Sequence, residues 1–213
     1  MMDNLILVGG GGHCRSVIDV IEADGRFRIV GIVDAPEKVG EQICGYSITA
    51  TDDDLPNLAQ TYRYFLVTVG QVKSGAIRTR LFQQIKSLGG ILPTLIAPTA
   101  YVSRHATIGE GTVIMHRTFV NAGATVGVNN IVNTAALIEH DAVIGDFCHI
   151  STGAIVNGTC VVGDGCFVGS NAVLGHGVRL SPGGVIGAGA VVLAHTRPNA
   201  LYAGNPAVLK RSF

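Results

Sequence analysis

The densest polar stretch in the second half of the chain runs Asn133-Thr134-Ala135-Ala136-Leu137-Ile138-Glu139-His140-Asp141 and resumes at Gly145-Asp146-Phe147-Cys148-His149-Ile150-Ser151. In it, His140 and Asp141 are adjacent. An imidazole accepts a proton at neutral pH, and a carboxylate beside it fixes the tautomer and stabilises the imidazolium that forms. The pair suits removal of a proton from an attacking nucleophile. A reaction through a tetrahedral oxyanion also needs a fixed N–H donor, and Gly158 offers one with no side chain in the way. The plain alternative is a solvated histidine at a turn.

What positions these residues is a repeat. From Ile96, every sixth residue to Val192 is aliphatic, 17 positions with no insertion and no miss. Neither a helix nor a simple strand has a period of six; hexapeptide repeats signal a parallel β-helix with three hexads to a coil. The position four places after each aliphatic residue is nearly always small, as at Ala100, Ala124, Ala136, Cys148, Ala154, Cys160 and Ala172, and is expected to point into a narrow prism. Residues three hexads apart then stack, so Ala122, His140, Gly158 and His176 form one outward column. Small neighbours leave a notch beside His140. His176, two coils on, is expected roughly 10 Å away, too far to share a proton directly. His105, His116, His176 and His195 read as plain surface histidines.

The first 95 residues have another pattern. An apolar run, Asn4-Leu5-Ile6-Leu7-Val8, leads into Gly9-Gly10-Gly11-Gly12-His13 and a helical stretch whose apolar face is Val17, Ile18, Val20 and Ile21. A second strand, Phe27 to Val33, ends on Asp34. Strand, glycine loop, helix, strand and acid outline a mononucleotide-binding half of a Rossmann-like fold. The glycines admit a pyrophosphate to the helix N-terminus, and Asp34 is placed for a ribose or base edge. A third strand, Tyr64 to Val69, ends in Gly70, at the carboxyl end where such sheets bind ligands. Ser74 to Ser87 has helical spacing through Ile77, Leu81 and Ile85, stopped by Gly89-Gly90. Asp52-Asp53-Asp54 reads as a solvated loop and helix start.

Composition sets the outer limits. Fifteen basic and fifteen acidic residues give zero formal charge, which argues against a nucleic-acid partner. Of these 30 charges, 19 lie in residues 1–95, so the coil is sparsely charged and suited to contact with identical copies. No apolar run is long enough to cross a bilayer, and no signal peptide is read. The cysteines, Cys14, Cys44, Cys148, Cys160 and Cys166, have no CxxC or metal-ligand spacing. The last three fall at inward positions, where a buried thiol makes a poor nucleophile. A cytoplasmic location fits them.

With the glycine-loop domain, the unbroken coil and the His140–Asp141 pair together, the chain resembles the NeuD/PglD-type sugar acetyltransferases, left-handed β-helix enzymes of the hexapeptide-repeat class. The resemblance covers essentially the whole chain and implies the left hand of the coil. It implies three parts: residues 1–95, a Rossmann-like nucleotide-sugar-binding domain; residues 96–196, the left-handed β-helix acyltransferase domain; and residues 197–213, a closing segment containing Tyr202-Ala203-Gly204-Asn205-Pro206. His140 is implied as the general base and Asp141 as its acid, where relatives commonly carry Glu. His149 is implied to contact acetyl-CoA. Ser170 and Ala188 match cofactor-contacting positions in the small column Thr134, Thr152, Ser170, Ala188, where pantetheine would lie flat. Gly11, Gly12, His13, Asp34 and Gly70 match substrate-binding positions. Ala35 stands where some relatives have a second acid.

The expected activity is N-acetylation of the 4-amino group of a UDP- or GDP-linked deoxy-aminosugar on the way to a surface glycan. It would be carried out by a homotrimer with active sites at subunit interfaces, with acetyl-CoA as cosubstrate and no metal. Three other readings compete: an O-acetyltransferase on sialic acid or a related sugar, a non-catalytic nucleotide-binding scaffold, and a zinc site of several histidines between subunits. Lys210 and Arg211 are either solvated or placed for a coenzyme A phosphate.

Overall fold

The computed structural model describes residues 2–71 and 75–213. They form two compact units, one of residues up to Gly70 with Ala76–Pro98, the other of residues 99–213 with Gln71 and Gly75.

The first unit is a small α/β sandwich. Its sheet has strand order β3-β4-β2-β1-β5, with β1 Asp3–Val8, β2 Phe27–Val33, β3 Gln42–Ile43, β4 Tyr46–Ala50 and β5 Tyr64–Val67. Strands β4, β2, β1 and β5 are parallel, and β3 joins β4 as a short antiparallel edge. Leu5 to Val8 are all buried, as an unbroken apolar run on a central parallel strand must be. Helix α1, Gly12–Asp24, buries Cys14, Val17, Ile18, Val20 and Ile21 and stops at left-handed Gly25, whose N–H bonds back to the Ile21 carbonyl. Helix α2 spans Leu55–Thr61 and α3 Ala76–Ser87. The sequence places the start of α3 at Ser74, which lies outside the described residues.

One apolar expectation is corrected in α3. Ile77 is 56% exposed, and the buried residue is its neighbour Arg78, at 1%. The Arg78 guanidinium donates to the Val69 carbonyl at 2.8 Å, a charged hydrogen bond that outweighs burial of one more aliphatic chain.

The second unit is a left-handed parallel β-helix. Among the described residues, sixteen two-residue strands run from Tyr101–Val102 to Val191–Val192 and stack on three faces. Face one contains Ile131–Val132, His149–Ile150 and Phe167–Val168; face two Phe119–Val120, Leu137–Ile138 and Ile155–Val156; face three Thr125–Val126, Val143–Ile144 and Val161–Val162. Partners lie three hexads apart, as in Val120 to Ile138 to Val156, so each inward aliphatic group rests on an identical class of group. From Val120 to Val192 every hexad aliphatic is buried. Burying each such side chain contributes about 1.5–3 kcal/mol. The coil closes with an antiparallel pair, Ala200–Ala203 and Val208–Ser212, the latter fully exposed. In it Arg211 lies over the Phe213 ring at 4.9 Å.

The thiols fall where the repeat puts them. Cys148, Cys160 and Cys166 have no exposure, Cys14 is buried in α1, and Cys44 alone is exposed. Burial pushes the Cys14 thiol up to about 11, against a bond with Thr68 that lowers it. A hydrogen bond with Cys166, then burial, holds Cys148 well above the ordinary thiol range. A maleimide is therefore expected to modify Cys44 alone in the native protein at neutral pH, and all five cysteines once unfolded. Peptide mass spectrometry reads the result; fast labelling of Cys148 would mean the coil is not closed.

Candidate functional site

In the first unit, the carboxyl ends of β1, β2 and β5 meet where the strand order reverses around β1, the position at which open α/β sheets take ligands. A cavity of about 460 Å³ lies there, lined by Gly9, Gly11, Asp34, Lys38, Asp53 and Gly70 among others. Three side chains hold its loops. The Thr68 hydroxyl donates to the Gly9 carbonyl at 2.5 Å, Arg78 holds Val69, and Asp34 accepts the Gly10 N–H at 2.5 Å. Asp34 also accepts the Ala35 N–H at 2.7 Å and the Lys38 ammonium at 3.1 Å. Burial alone would push its carboxyl up; the Ala35 and Gly10 N–H groups and Lys38 outweigh that and hold it below the ordinary range. Asp34 thus clamps the glycine loop as well as lining the cleft. Gly12 and His13 form the first turn of α1, and the His13 Cβ lies beside Gly70.

In the second unit, His140 sits at the corner between faces two and three. Its Nδ1 is 3.0 Å from the Asp141 carboxylate. A carboxylate only accepts, so Nδ1 carries the proton and Nε2 keeps its lone pair. Asp141 is in the left-handed conformation, φ 59°, as is the residue at the equivalent corner of every hexad from Gly111 to Gly189. That conformation turns the carboxylate back over the ring, into space left by Gly123, whose Cβ would strike Asp141 Oδ1. Glu139 steadies the corner from below, accepting the Asn121 amide at 2.6 Å and the His140 N–H at 3.2 Å.

Gly158 is the next residue of the column. A Cβ there would fall 2.7 Å from His140 Nε2, so the lone pair faces open space only because this residue is glycine. In the two preceding coils, side chains cap the equivalent N–H groups: Asn121 caps Ala122 and Glu139 caps His140. Asn157 instead turns its amide to the Leu174 carbonyl at 2.7 Å. Among the described residues the Gly158 N–H finds no acceptor, which suits a donor awaiting an oxyanion.

The sequence expectation for His176 is corrected. The rings of His140 and His176 lean together across side-chain-free Gly158, and their centroids are 6.4 Å apart. His149 is 8% exposed on face one, the face opposite the His140 corner. Its Nδ1 donates to the Gln71 carbonyl at 2.7 Å and its Nε2 accepts from the Asn133 amide at 3.2 Å, so the ring is neutral with a fixed tautomer. Ser170 and Ala188 lie at the corner between faces one and two, Ser170 paired with Ser151 at 3.0 Å. Among the described residues no three metal-ligating side chains converge.

The fold recurs in solved acetyltransferases. A family model, the PglD N-terminal domain, matches residues 4–85. UDP-N-acetylbacillosamine N-acetyltransferase of Bacillus subtilis is 31% identical over 120 residues, 54% of this chain and 52% of that enzyme, so the match spans about half of it. PerB from Caulobacter crescentus, solved with CoA and GDP-perosamine, is 30% identical over 99% of both chains, with a TM-score of 0.91. The acetyltransferase domain of PglB from Neisseria gonorrhoeae, solved with acetyl coenzyme A, is 32% identical over 99% of this chain and 100% of that one, with a TM-score of 0.90. The chain belongs to the NeuD/PglD family of sugar acetyltransferases.

Several residues around the NeuD/PglD-type site escape sequence reasoning. Lys38 stands four residues after Asp34, a spacing that could have been noticed. Glu139 and Asn133 lie in the polar stretch but signal no role there. Thr68 and the Gln71 carbonyl gain theirs from partners distant in sequence and Arg78 from Val69 across a turn, for which no local pattern exists.

Two variants test this geometry. Gly158 is not in the left-handed region, so alanine there is conformationally allowed and only displaces the His140 ring. Gly158→Ala is expected to leave the melting temperature nearly unchanged and lower kcat by about 10- to 100-fold. Asp34→Asn is expected to cost about 1–2 kcal/mol of stability at neutral pH. Because folding lowers this carboxyl, its contribution is present above its ordinary value, 3.8, and fades as pH falls through the folded value. Urea melts of wild type and Asp34→Asn should therefore converge as pH falls below the ordinary carboxyl value of 3.8.

Proposed function

We infer that this chain is an acetyl-CoA-dependent N-acetyltransferase, forming an amide on the 4-amino group of a UDP- or GDP-linked deoxy-aminosugar. The observation that carries the reading is full-length likeness, at 30% identity or above, to PerB solved with CoA and GDP-perosamine and to PglB solved with acetyl coenzyme A. The first-unit cavity suits a nucleotide, with Gly11, Gly12, His13, Asp34 and Gly70 in the binding roles and Lys38 adding a cation beside Asp34.

In this mechanism the sugar amine attacks the thioester carbonyl, and His140 Nε2 takes the proton that the nitrogen loses. Asp141 holds the ring so that Nε2 is the acceptor and bears the positive charge beside a carboxylate. The Gly158 N–H meets the oxyanion. The small residues Thr134, Thr152, Ser170 and Ala188 leave a corner along which pantetheine fits, and His149 stands on the adjoining face.

We propose a homotrimer, which that distribution supports. Within one chain the His140 corner faces away from His149, so a single site containing both needs a second copy to supply one of them. We propose that the acetylated aminosugar goes on to a surface glycan. No described helix is long and apolar enough to cross a membrane.

His140→Ala is expected to lower acetyl transfer by about 10²–10⁴-fold, read as CoA thiol released, with melting temperature and CoA affinity preserved. A variant as active as wild type would remove His140 from the chemistry. The product with a GDP- or UDP-aminosugar should resist mild alkali, as an amide does and an ester does not. Sedimentation should give three times the 22.1 kDa chain mass.

A further inference from the structure

The overall reaction leaves a proton to be disposed of. At neutral pH a sugar amine is largely an ammonium ion, since ordinary amines lose their proton only above about pH 8. Forming the N–C bond and breaking the C–S bond removes two protons from nitrogen, one before attack and one from the tetrahedral adduct. The sulfur leaves with its electron pair and takes one proton as the thiol; the other must reach solvent. Nothing is oxidised or reduced. His140 Nε2 has one lone pair and holds one proton at a time.

His176 is the group nearest to hand for the second. Its ring centroid is 6.4 Å from that of His140, tilted 46°, with Gly158 between them contributing no side chain. Two hydrogen bonds in series through one water reach about 5.5–6 Å between nitrogens, the same order as the 6.4 Å between ring centroids. Thr159 Oγ1 lies 3.4 Å from His176 Nε2 and orients the ring. Among the described residues, Asp141 bonds His140 Nδ1 and Glu139 the His140 N–H, while on the other side of His176 the His195 Nδ1 accepts the Arg179 N–H at 3.2 Å. In the single chain His176 is exposed, which gives a proton reaching it a way out.

We propose that His176 is a relay residue that accepts, through one water, the proton His140 removes from the substrate ammonium, returning His140 to its basic form for the second transfer. It acts through His140 and does not touch the reacting atoms. The proposal rests on the reading of His140 as the base.

The test compares His176→Gln, Thr159→Val and His140→Ala with wild type across pH, using a GDP- or UDP-linked 4-aminosugar and acetyl-CoA. For His176→Gln, kcat should fall by about tenfold near pH 6.5, where the amine is protonated, and lie within about twofold of wild type above pH 9. Added imidazole should restore the low-pH loss, and Thr159→Val should shift the profile the same way by a smaller factor. A His176→Gln profile parallel to wild type, with no imidazole rescue, overturns the relay while leaving His140 as base. Full activity in His140→Ala overturns the base assignment itself.

Discussion

Each aliphatic side chain inside the coil rests on another three hexads along the chain, and that register fixes every corner of the prism. The corner is a tight turn whose third residue after the aliphatic is left-handed, at Ala135, Asp141, Phe147 and Thr159 among others. At most corners this is only a way to turn. At the corner after Ile138 the left-handed residue is an aspartate, and the same twist that lets the chain turn brings its carboxylate onto the ring of His140. The pairing of acid and imidazole rests on a backbone constraint that the hydrophobic core imposes. A slip of one residue would carry the aliphatic row outward and the pair with it.

The column around His140 depends as much on missing atoms as on present ones. Gly123 leaves room for the Asp141 carboxylate, and Gly158 leaves room at the Nε2 lone pair while presenting an uncapped N–H. The imidazole is thus held by one carboxylate and open on its other edge, an arrangement that suits the role of base proposed for it. Gly158 also lets two rings on either side of it approach each other, which is why His176 belongs to the same corner.

The first unit solves a different problem with different means. A loop of four glycines has no side chains to define it, so neighbours must. Asp34 takes the Gly10 N–H, Thr68 donates to the Gly9 carbonyl, and Arg78 fixes the Val69 carbonyl from beneath. These are charge-assisted or buried hydrogen bonds, strong enough to hold a flexible segment in one shape. The apolar contacts of Leu5 to Val8 supply stability; the polar clamps supply geometry.

Most of the architecture was legible in the chain itself, because periodicity is a local property. A period of six over 17 positions specifies stacked coils whatever else is true, and strand, glycine loop, helix and acid specify the small parallel sheet that precedes them. The pairing of His140 with Asp141 was legible for the same reason, since the two are adjacent. Distances across coils and contacts between distant segments were not. Whether the rings of His140 and His176 stay two full coil rises apart or close to 6.4 Å depends on how they lean over a glycine. That His149 meets the Gln71 carbonyl, 78 residues away, and that Arg78 rather than Ile77 is buried, depends on partners no local pattern names. In the coil, sequence determined which residues face in or out; the tertiary structure decided which outward residues meet.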